Sequence, residues 1–536
     1  LNLTIYKLHN LKTSLFYLFL SISTFSFGQG SPNFLWLVCE DQSLFFPMYG
    51  DSSANTPNIN QLAKDGLVYQ NCYTPSPVCA PSRSCLITGM YPTSIGTQHM
   101  RAYKKSKENS AINPHNSLPY YSAKPKKPIR FFTEDLRAKG YYCTNNSKED
   151  YNMKASPLAW DESSQEAHWR NKQEGQPFFS VFNFNVTHES NIWRNKTSYS
   201  KKELENILTP KIFPDDDEIK RDILTNYKNI EKLDEKIGAI LNQLKADNLY
   251  KNTIIFFFSD HGGPFPRYKR SIYETGLNVP MIVKWIDETN RGKNFQLISF
   301  VDFAPTLLDA ANIERELPFE GVSFFKKDQR KYVYGATDRF DSGVDMRRSI
   351  RDSNFKLIYN GDTSTTIYKP IIYRRQMKTM QVLDSLMKKQ ELNSYFSNWF
   401  LKHKDRFELY EVSKDFFELN NLIHNPKYEE IYNTLKYHLF KWMEESDFGN
   451  MSELAMLDSM FTSSISIPKL NLPKLIMKDL GYIIESNNLY TSVGWRNRNE
   501  SGWNIYKANE IIKPKKDFEV LLFRPGYKTL IQLFNN

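Results

Sequence analysis

Cysteine is scarce in this chain. Only five cysteines occur among 536 residues, and nothing in their spacing assigns pairs. Small exported proteins that depend on disulfides carry denser and usually even-numbered sets, so we predict no disulfide framework. In an exported protein, an odd number also leaves one thiol that is unpaired or chemically altered. The five are Cys39, Cys72, Cys79, Cys85 and Cys143.

Several features that would define other protein classes are also missing. The sequence contains no internal repeat, no disordered linker and no recognisable DNA- or RNA-binding motif. Lys and Arg number 70 against 60 Asp and Glu, but the basic residues are scattered, so we predict no nucleic-acid partner. With 40% hydrophobic and 14% aromatic residues, the composition is that of a globular protein. This length predicts two or three domains.

The N-terminal region has the form of a secretory signal peptide. Lys7 and Lys12 precede an apolar run over residues 14–27, and Gly28-Gln29-Gly30 follow it. The run is too short for a comfortable membrane span, and no cysteine follows it directly as in a lipoprotein. We therefore expect residues 1–29 to be removed, no membrane span in the mature protein, and export to the periplasm or the medium.

Two strongly apolar runs predict buried parallel strands that end in acidic residues. Residues 34–38 lead directly to Glu40 and Asp41, and residues 253–259 lead to Asp260. Open α/β sheets place their sites at the carboxyl ends of such strands. Paired carboxylate oxygens suit a hard cation such as Ca²⁺.

The stretch from Cys79 to Gly89 reads CAPSRSCLITG and predicts a helix that begins near its cysteine. Pro81 is tolerated in a first helical turn, and Gly89 is a typical stop. The free N–H groups and the dipole at a helix N-terminus favour anions. Arg83 lies one turn further on the same face, where it can clamp an anion with two hydrogen bonds.

This stretch resembles the signature of the type I sulfatases, C-x-P-S-R-x-x-L-x-T-G, at every fixed position. The resemblance implies an alkaline-phosphatase-like α/β fold: a large, mixed, mostly parallel sheet between helices, followed by a smaller antiparallel sheet with a helix. It also implies that a formylglycine-generating or equivalent maturation enzyme oxidises Cys79 to formylglycine (3-oxoalanine). The hydrated aldehyde would be the nucleophile that attacks sulfur.

Further motifs extend the resemblance to a Ca²⁺ site. The family usually has two aspartates where this chain has Glu40 and Asp41. The second half of the site would be Asp260 and His261, the latter at a position where many relatives carry asparagine. Both changes keep residue types that can approach a divalent cation.

The resemblance also implies roles for four cationic or titratable side chains. Arg83 and Lys148 would orient the nucleophile and stabilise developing charge. His188, which directly follows a strand, would bind sulfate. Lys269, which precedes an E-x-G motif, would hold it as well. Either His188 or Lys269 would protonate the leaving alcohol.

Substrate-binding positions are less closely determined by the motifs. Asp150 stands where the family has a histidine, and His99 in the G-T-x-H-M-R loop is our candidate replacement. For His99 and Arg101 a role in the site and a solvated surface position both stay open. Arg267 and Arg270 are equally open between surface charges and charges of the substrate cleft.

We expect four segments: a signal peptide over 1–29, the catalytic sulfatase α/β domain over 30–330, a C-terminal α+β subdomain over 331–449, and a small β-rich accessory module over 450–536. The variants C-E-D, G-T-x-H-M-R and N-N-S-K look closest to bacterial polysaccharide sulfatases. We therefore expect removal of sulfate from a sulfated polysaccharide or oligosaccharide, with the algal glycan ulvan favoured. A phosphodiesterase or phosphonate monoester hydrolase of the same superfamily, or a non-catalytic sugar-binding protein, are the alternatives.

Overall fold

A mixed eight-stranded sheet forms the centre of the molecule. The computed structural model describes residues 31–100, 121–195, 198–314, 317–326, 329–392, 394–462, 466–478 and 480–535. The strands lie in the order β4-β3-β5-β1-β6-β7-β2-β8, and only β7 runs antiparallel to its neighbours. They are β1 Asn33–Cys39, β2 Leu67–Tyr73, β3 Tyr142–Asn146, β4 Glu162–Ser164, β5 Phe178–Phe184, β6 Thr253–Ser259, β7 Asn278–Lys284 and β8 Gly292–Ser299.

The central strand β1 is apolar from Phe34 to Cys39, because both faces of the sheet are covered. Trp36 and Val38 belong to the apolar core on one face, whereas Leu35 and Leu37 belong to the core on the other. Side chains alternate between the two faces of a strand. When both faces are buried, apolar residues therefore follow one another instead of alternating with polar ones. This explains why the continuous hydrophobic run correctly predicts a parallel strand.

Helices flank the sheet on both sides. The longest, α7, is 30 residues long and begins after Asp216, whose carboxylate accepts hydrogen bonds from the N–H groups of Glu218 and Ile219. The α-helices are α1 Pro57–Asp65, α2 Cys79–Thr88, α3 Pro92–Ile95, α4 Phe132–Ala138, α5 Ser190–Arg194, α6 Lys201–Glu205, α7 Asp217–Ala246, α8 Glu274–Leu277, α9 Phe303–Ala310, α10 Lys378–Lys389, α11 Ser394–Ser397, α12 Glu429–Glu445 and α13 Glu453–Phe461.

A second, antiparallel sheet packs with α12 beside the large one. Its order is β12-β11-β10-β9, and α12 lies against β10 and β11. The predicted fold class is confirmed by this arrangement of a large, mostly parallel sheet with a smaller antiparallel sheet and helix. The strands are β9 Val333–Phe340, β10 Gly343–Arg351, β11 Lys356–Asn360 and β12 Phe407–Tyr410.

The C-terminal region consists of two small antiparallel sheets. Phe523 and Leu521 of the larger one pack on Leu158, so the region is joined to the main body by apolar contacts. The strands pair as β13-β14 and as β16-β15-β17-β18. Their bounds are β13 Lys474–Lys478, β14 Gly481–Glu485, β15 Ser492–Asn497, β16 Asn504–Ile505, β17 Phe518–Phe523 and β18 Leu530–Phe534.

Two further sequence expectations concern the chain ends and the thiols. The predicted signal peptide over 1–29 lies outside the described residues. Within the described residues, no helix is both long and apolar enough to cross a membrane. All five cysteines are buried as free thiols.

Candidate active site

The carboxylates predicted at two strand ends lie side by side. Strands β1 and β6 are parallel neighbours in which Cys39 pairs with Ser259, so the residues that follow them emerge together. The backbone N–H of Asp41 donates a hydrogen bond to Oδ1 of Asp260 at 3.2 Å. Both aspartates are fully buried, and Glu40 is only 3% exposed. Three acidic groups therefore meet at the carboxyl edge of the sheet.

Helix α2 brings the thiol of Cys79 to this edge. The helix begins at Cys79, after an extended Val78, and ends at Gly89, whose φ of 64° is in the left-handed region. The Cys79 side chain is buried, and its Sγ lies 3.2 Å from Nε2 of His261. The predicted helix and the predicted position of its cysteine are both present.

His261 presents one defined nitrogen to the acidic cluster. Its Nδ1 lies 2.9 Å from the carbonyl oxygen of Gly262 and donates to it, because a carbonyl can only accept. This leaves Nε2 at 3.2 Å from Oδ1 of Asp41 and 3.7 Å from Oδ1 of Asp260. Burial opposes a charged imidazole, but Asp260, Cys79 and Asp41 outweigh it and raise the pKa of His261 to about 10.

The backbone after His261 can pack closely against the backbone of Thr275 and Gly276 only because residue 262 is glycine. A Cβ at this position would lie 2.2 Å from the carbonyl oxygen of Thr275. The N–H of Gly262 instead donates to the carbonyl of Gly276 at 3.0 Å. The D-H-G sequence therefore combines two predicted metal-binding side chains with a residue that permits close backbone packing.

The guanidinium of Arg83 contacts the carboxylate of Asp260, not the thiol of Cys79. Its Nε and Nη2 both lie 3.1 Å from Oδ2 of Asp260, and its Nη1 donates to Oδ1 of Asn183 at 2.7 Å. Burial would raise the pKa of Asp260, but His261, Arg83 and Lys148 lower it to about 2. Asp260 is thus ionised and fixed in direction.

Lys269 occupies the other side of the acidic cluster. Its Nζ lies 2.8 Å and 3.0 Å from the two carboxylate oxygens of Asp41 and 3.1 Å from Oε1 of Glu189. Glu189 also donates its backbone N–H to Oδ2 of Asp41 at 2.7 Å. Burial opposes ionisation of Asp41, yet Lys269, His188 and His261 hold its pKa well below the usual range.

His188 and Lys148 complete the group. Nδ1 of His188 lies 2.9 Å from the hydroxyl oxygen of Ser190 and 3.3 Å from its backbone nitrogen. Nε2 lies 3.4 Å from Nζ of Lys269. Nζ of Lys148 lies 2.9 Å from Oε2 of Glu40. Burial, followed by the charge of Lys269, lowers the pKa of His188 although Asp41 acts in the opposite direction.

These donors fit a hard divalent cation. Ligand atoms of Asp41, Cys79 and His261 lie within 4.8 Å of one another, as do those of Glu40, Asp41 and His188. Carboxylate oxygens are the ligands that Ca²⁺ prefers. The Nδ1 hydrogen bond from His261 to a backbone carbonyl is the support that metal-binding histidines usually have. The residues are therefore suited to the predicted ion.

The predicted substrate-binding residues lie in different surroundings. Nδ1 of His99 accepts the backbone N–H of Arg339 at 3.3 Å and lies 3.7 Å from Oε2 of Glu453 in α13. Asp150 is partly exposed with a positive φ of 52°. Arg101 lies outside the described residues.

The side chains of Arg267 and Arg270, which are close to Lys269 in sequence, point in different directions. Arg267 donates to the carbonyl oxygens of Phe417 and, at 3.0 Å, of Glu418, so it faces the second sheet. Arg270 instead points back to the site, where its Nη1 and Nη2 lie 3.0 Å and 2.8 Å from the two oxygens of Glu189. Its Nε donates to Asp341 at 2.6 Å.

Sequence reasoning missed three polar residues of this region. Glu189 pairs with both Lys269 and Arg270, Asn183 holds Arg83, and Asp341 holds Arg270. The T-H-E sequence after β5 contained the only available signal, because Glu189 adjoins the predicted His188. Asn183 belongs to a β-prone run, and Asp341 lies in a turn of the second sheet. Neither position in the sequence therefore predicted a residue of the active site.

Two family models match the chain. The model described as Sulfatase matches residues 32–313, which include every predicted catalytic and metal-binding residue. The model described as N-sulphoglucosamine sulphohydrolase, C-terminal, matches residues 265–399. Together they cover the large sheet and part of the second one.

Individual proteins agree with these models. An "Ulvan-active sulfatase" of Formosa agariphila is 38% identical over 542 aligned positions, which cover 93% of this chain and 90% of that protein. A solved protein in complex with its substrate D-glucosamine-2-N,6-O-disulfate is 16% identical with a TM-score of 0.54, covering 78% of this chain and 99% of the other. The phosphonate monoester hydrolase of Agrobacterium radiobacter is 14% identical with a TM-score of 0.52, covering 77% and 96%. The two structures share the fold.

Proposed function

This chain belongs to the sulfatase family and is a sulfuric ester hydrolase, and from that premise we propose that it removes sulfate from a sulfated polysaccharide, with ulvan as the leading candidate. The 38% identity to an ulvan-active sulfatase over nearly the whole chain supports this substrate class. The observation that carries the chemistry is the buried Cys79 thiol, at a helix N-terminus and 3.2 Å from His261.

We propose that Cys79 is converted to formylglycine by a maturation enzyme. A hydrated aldehyde at this position would supply two hydroxyls on one carbon, one to attack sulfur and one to release the sulfate afterwards. The surroundings suit such a group, because the helix N-terminus and the cationic side chains of Lys148 and Lys269 favour negative charge at residue 79.

Ca²⁺ is the proposed metal, with Glu40, Asp41, Asp260 and His261 as its ligands. A bound Ca²⁺ would neutralise charge on the sulfate oxygens and favour the ionised nucleophile. Arg83 contributes by fixing the carboxylate of Asp260, and Lys269 by fixing that of Asp41. These contacts define the direction of both carboxylates before substrate arrives.

His188 is the proposed proton donor for the leaving alcohol. The form that would supply the proton is the imidazolium, whose Nε2 lies 3.4 Å from Nζ of Lys269. Burial, followed by the ammonium of Lys269, lowers the pKa of this imidazolium and so makes it a stronger acid towards the leaving alcohol. Lys269 itself, bound to two carboxylates, holds its proton firmly and is better suited to binding sulfate.

We propose export and a division into segments on the sequence features described above. The apolar run over 14–27 with its preceding lysines supports a signal peptide over 1–29. The change from the large sheet to the second sheet supports a boundary near residue 330, and the small sheets from Lys474 onwards support an accessory module. An exported location agrees with a polymeric substrate outside the cell.

A combined test measures both the modification and the activity. The protein is co-expressed with a formylglycine-generating enzyme, and the Cys79 and Cys85 peptides are compared by mass spectrometry. We expect an aldehyde at position 79 and an unaltered thiol at position 85. The same preparation should release sulfate from ulvan oligosaccharides.

The alternative hydrolase class is tested with a second pair of substrates. The fold also occurs in a phosphonate monoester hydrolase, so the fold alone does not identify the ester. Side-by-side kcat/KM values on an aryl sulfate and the matching aryl phosphonate decide the point. A higher value on the phosphonate, or an unaltered thiol in a fully active enzyme, would contradict the proposal.

A further inference from the structure

A cavity that is partly open to solvent lies between the large sheet and the second sheet, next to Lys269. Lys269 lines it, and the side chain of the same residue extends to Asp41 in the acidic cluster. Phe340, another lining residue, packs in one apolar cluster with Cys79. The cavity is therefore adjacent to the place where we propose that the sulfate ester reacts.

Arg374 lines this cavity as a buried arginine for which the structure shows no ion pair among the described residues. It lies in the short 3₁₀ helix Ile372–Gln376 and is only 6% exposed. Its Nη2 donates to the carbonyl oxygen of Lys269 at 2.6 Å, but its Nε has no hydrogen-bond partner among the described residues. Within the same part of the chain, no carboxylate forms an ion pair with Arg374. A buried guanidinium without an anion is costly, so such a group normally has one.

The acidic side chains around Arg374 are already engaged. Arg270 occupies both oxygens of Glu189 and one of Asp341. The two acidic residues that line the cavity are also paired, Asp338 with Arg348 at 3.1 Å and Asp345 with Lys404 at 2.6 Å. Burial, followed by the charge of Arg270, lowers the pKa of Arg374 to about 10. The charges of Glu189 and Asp341 oppose this shift, but both carboxylates are bound by Arg270, and no described carboxylate forms an ion pair with Arg374. An anionic ligand would therefore be stabilised there.

The remaining lining fits a sugar ring. Tyr368 and Trp399 contribute aromatic surface, and the cationic residues in the lining outnumber the acidic ones. Sugar sites combine apolar or aromatic walls with a few fixed polar groups. The cationic lining residues are Arg267, Lys269, Arg270, Arg347, Lys369 and Arg374.

We propose that this cavity holds the sugar unit next to the sulfated one, and that Arg374 pairs with an anionic group on that neighbouring unit. The inference rests on the proposed function, and it makes Arg374 a residue that determines specificity rather than one that takes part in the chemistry. The anion is a carboxylate or a second sulfate ester, since the guanidinium fork binds either with paired hydrogen bonds.

The test uses three saccharides with the same sulfated unit. Its neighbour carries a carboxylate, a second sulfate ester or, after carboxyl reduction, no charge. Sulfate release gives kcat/KM for the wild type, Arg374→Ala, Arg374→Lys and the exposed neighbour Arg375→Ala. The quantity compared is the ratio of kcat/KM for each charged substrate to that for the uncharged one.

We expect the wild type to prefer one charged neighbour by about tenfold or more, as for a charge-assisted hydrogen bond. Arg374→Ala should bring that ratio close to one, mainly by raising KM. Arg374→Lys should restore part of it, and Arg375→Ala should keep the wild-type ratio. The charged substrate with the larger ratio identifies the anion.

Equal use of charged and uncharged neighbours by the wild type overturns the inference, even if Arg374→Ala does not fold. An unchanged ratio in Arg374→Ala overturns it as well. In both cases the proposed function stands, because sulfate is still released. Failure to release sulfate from any of these saccharides or from an aryl sulfate contradicts the proposed function itself, and the inference with it.

Discussion

The Sγ atom of Cys79 lies 3.2 Å from Nε2 of His261, although 182 residues separate the two in sequence. One begins helix α2 and the other follows strand β6, so the contact exists because the helix N-terminus packs against the carboxyl edge of the sheet. It brings the proposed nucleophile position and the proposed metal site into direct contact.

Replacement of Cys79 by alanine should abolish sulfatase activity. We expect a loss of at least about a thousandfold in kcat/KM on an aryl sulfate, because the nucleophile cannot form. Cys85→Ala is the matched control, since Cys85 is buried in the same helix. It should stay within a few fold of wild type, although the cavity it leaves should lower the free energy of unfolding by about 1 kcal/mol. Equal activities of the two variants would contradict the assignment.

Calcium should stabilise the folded protein through the acidic cluster. After treatment with a chelator, added Ca²⁺ should raise the thermal midpoint and restore sulfate release, with about 2.7 kcal/mol of stabilisation at a hundredfold excess over Kd. Asp260→Asn should remove most of this response, because it removes one charged ligand. Asp222→Asn changes a buried aspartate on helix α7 and should keep the response. An equal response in both variants would argue against the proposed site.

Lys269 should stabilise the fold as well as bind sulfate. It is 1% exposed and pairs with the buried Asp41, while it shares Glu189 with Arg270. Lys269→Met therefore leaves the carboxylate of Asp41 without its ammonium partner. We expect the free energy of unfolding in urea to fall by about 3–5 kcal/mol. Lys269→Met should cost less in a Glu189→Gln background, because the ion pair between Lys269 and Glu189 is already absent there. Strictly additive losses in the double variant would show that the two residues do not interact.

The sequence predicted the parts of the site that follow from local patterns. Continuous apolar runs located β1 and β6, and the acidic residues after them fall where parallel strands expose their ends. The proline and glycine of the signature stretch bounded helix α2 correctly. These features depend on residues close together in the chain, which is why a pattern can reveal them.

Contacts between distant segments could not be predicted in the same way. The pairing of Arg270 with Asp341 joins the large sheet to a turn of the second sheet, 71 residues later. The sequence makes His99 a candidate replacement for the family histidine, but it does not indicate that the His99 imidazole lies against Arg339 and Glu453, which belong to C-terminal elements. No periodicity or motif specifies how the second sheet packs against the large one. The residues that line the cavity around Arg374 could therefore not be predicted from the sequence either.

Stability should depend on pH through Asp222, which lies far from the site in sequence. Its carboxylate accepts hydrogen bonds from the N–H and hydroxyl of Thr379, both at 2.7 Å. Burial nevertheless raises its pKa to about 6. The folded state therefore binds this proton more tightly than the unfolded state, and the resulting stability is lost as pH rises from about 4 through about 6.

Asp222→Asn tests that dependence, because the amide keeps an acceptor but does not titrate. The stability of the variant relative to wild type should increase by at most about 3 kcal/mol between about pH 4 and about pH 7, measured by urea unfolding. Glu235→Gln, exposed on the same helix, is the control. A difference between Asp222→Asn and wild type that stays constant with pH would contradict the prediction.

The most direct test of the account is a crystal structure of the active, matured enzyme grown with Ca²⁺. We predict density for a hydrated aldehyde at residue 79 and for one cation bound by Glu40, Asp41, Asp260 and His261. An active enzyme whose crystals show an intact thiol at residue 79, with no cation among these four side chains, would contradict it.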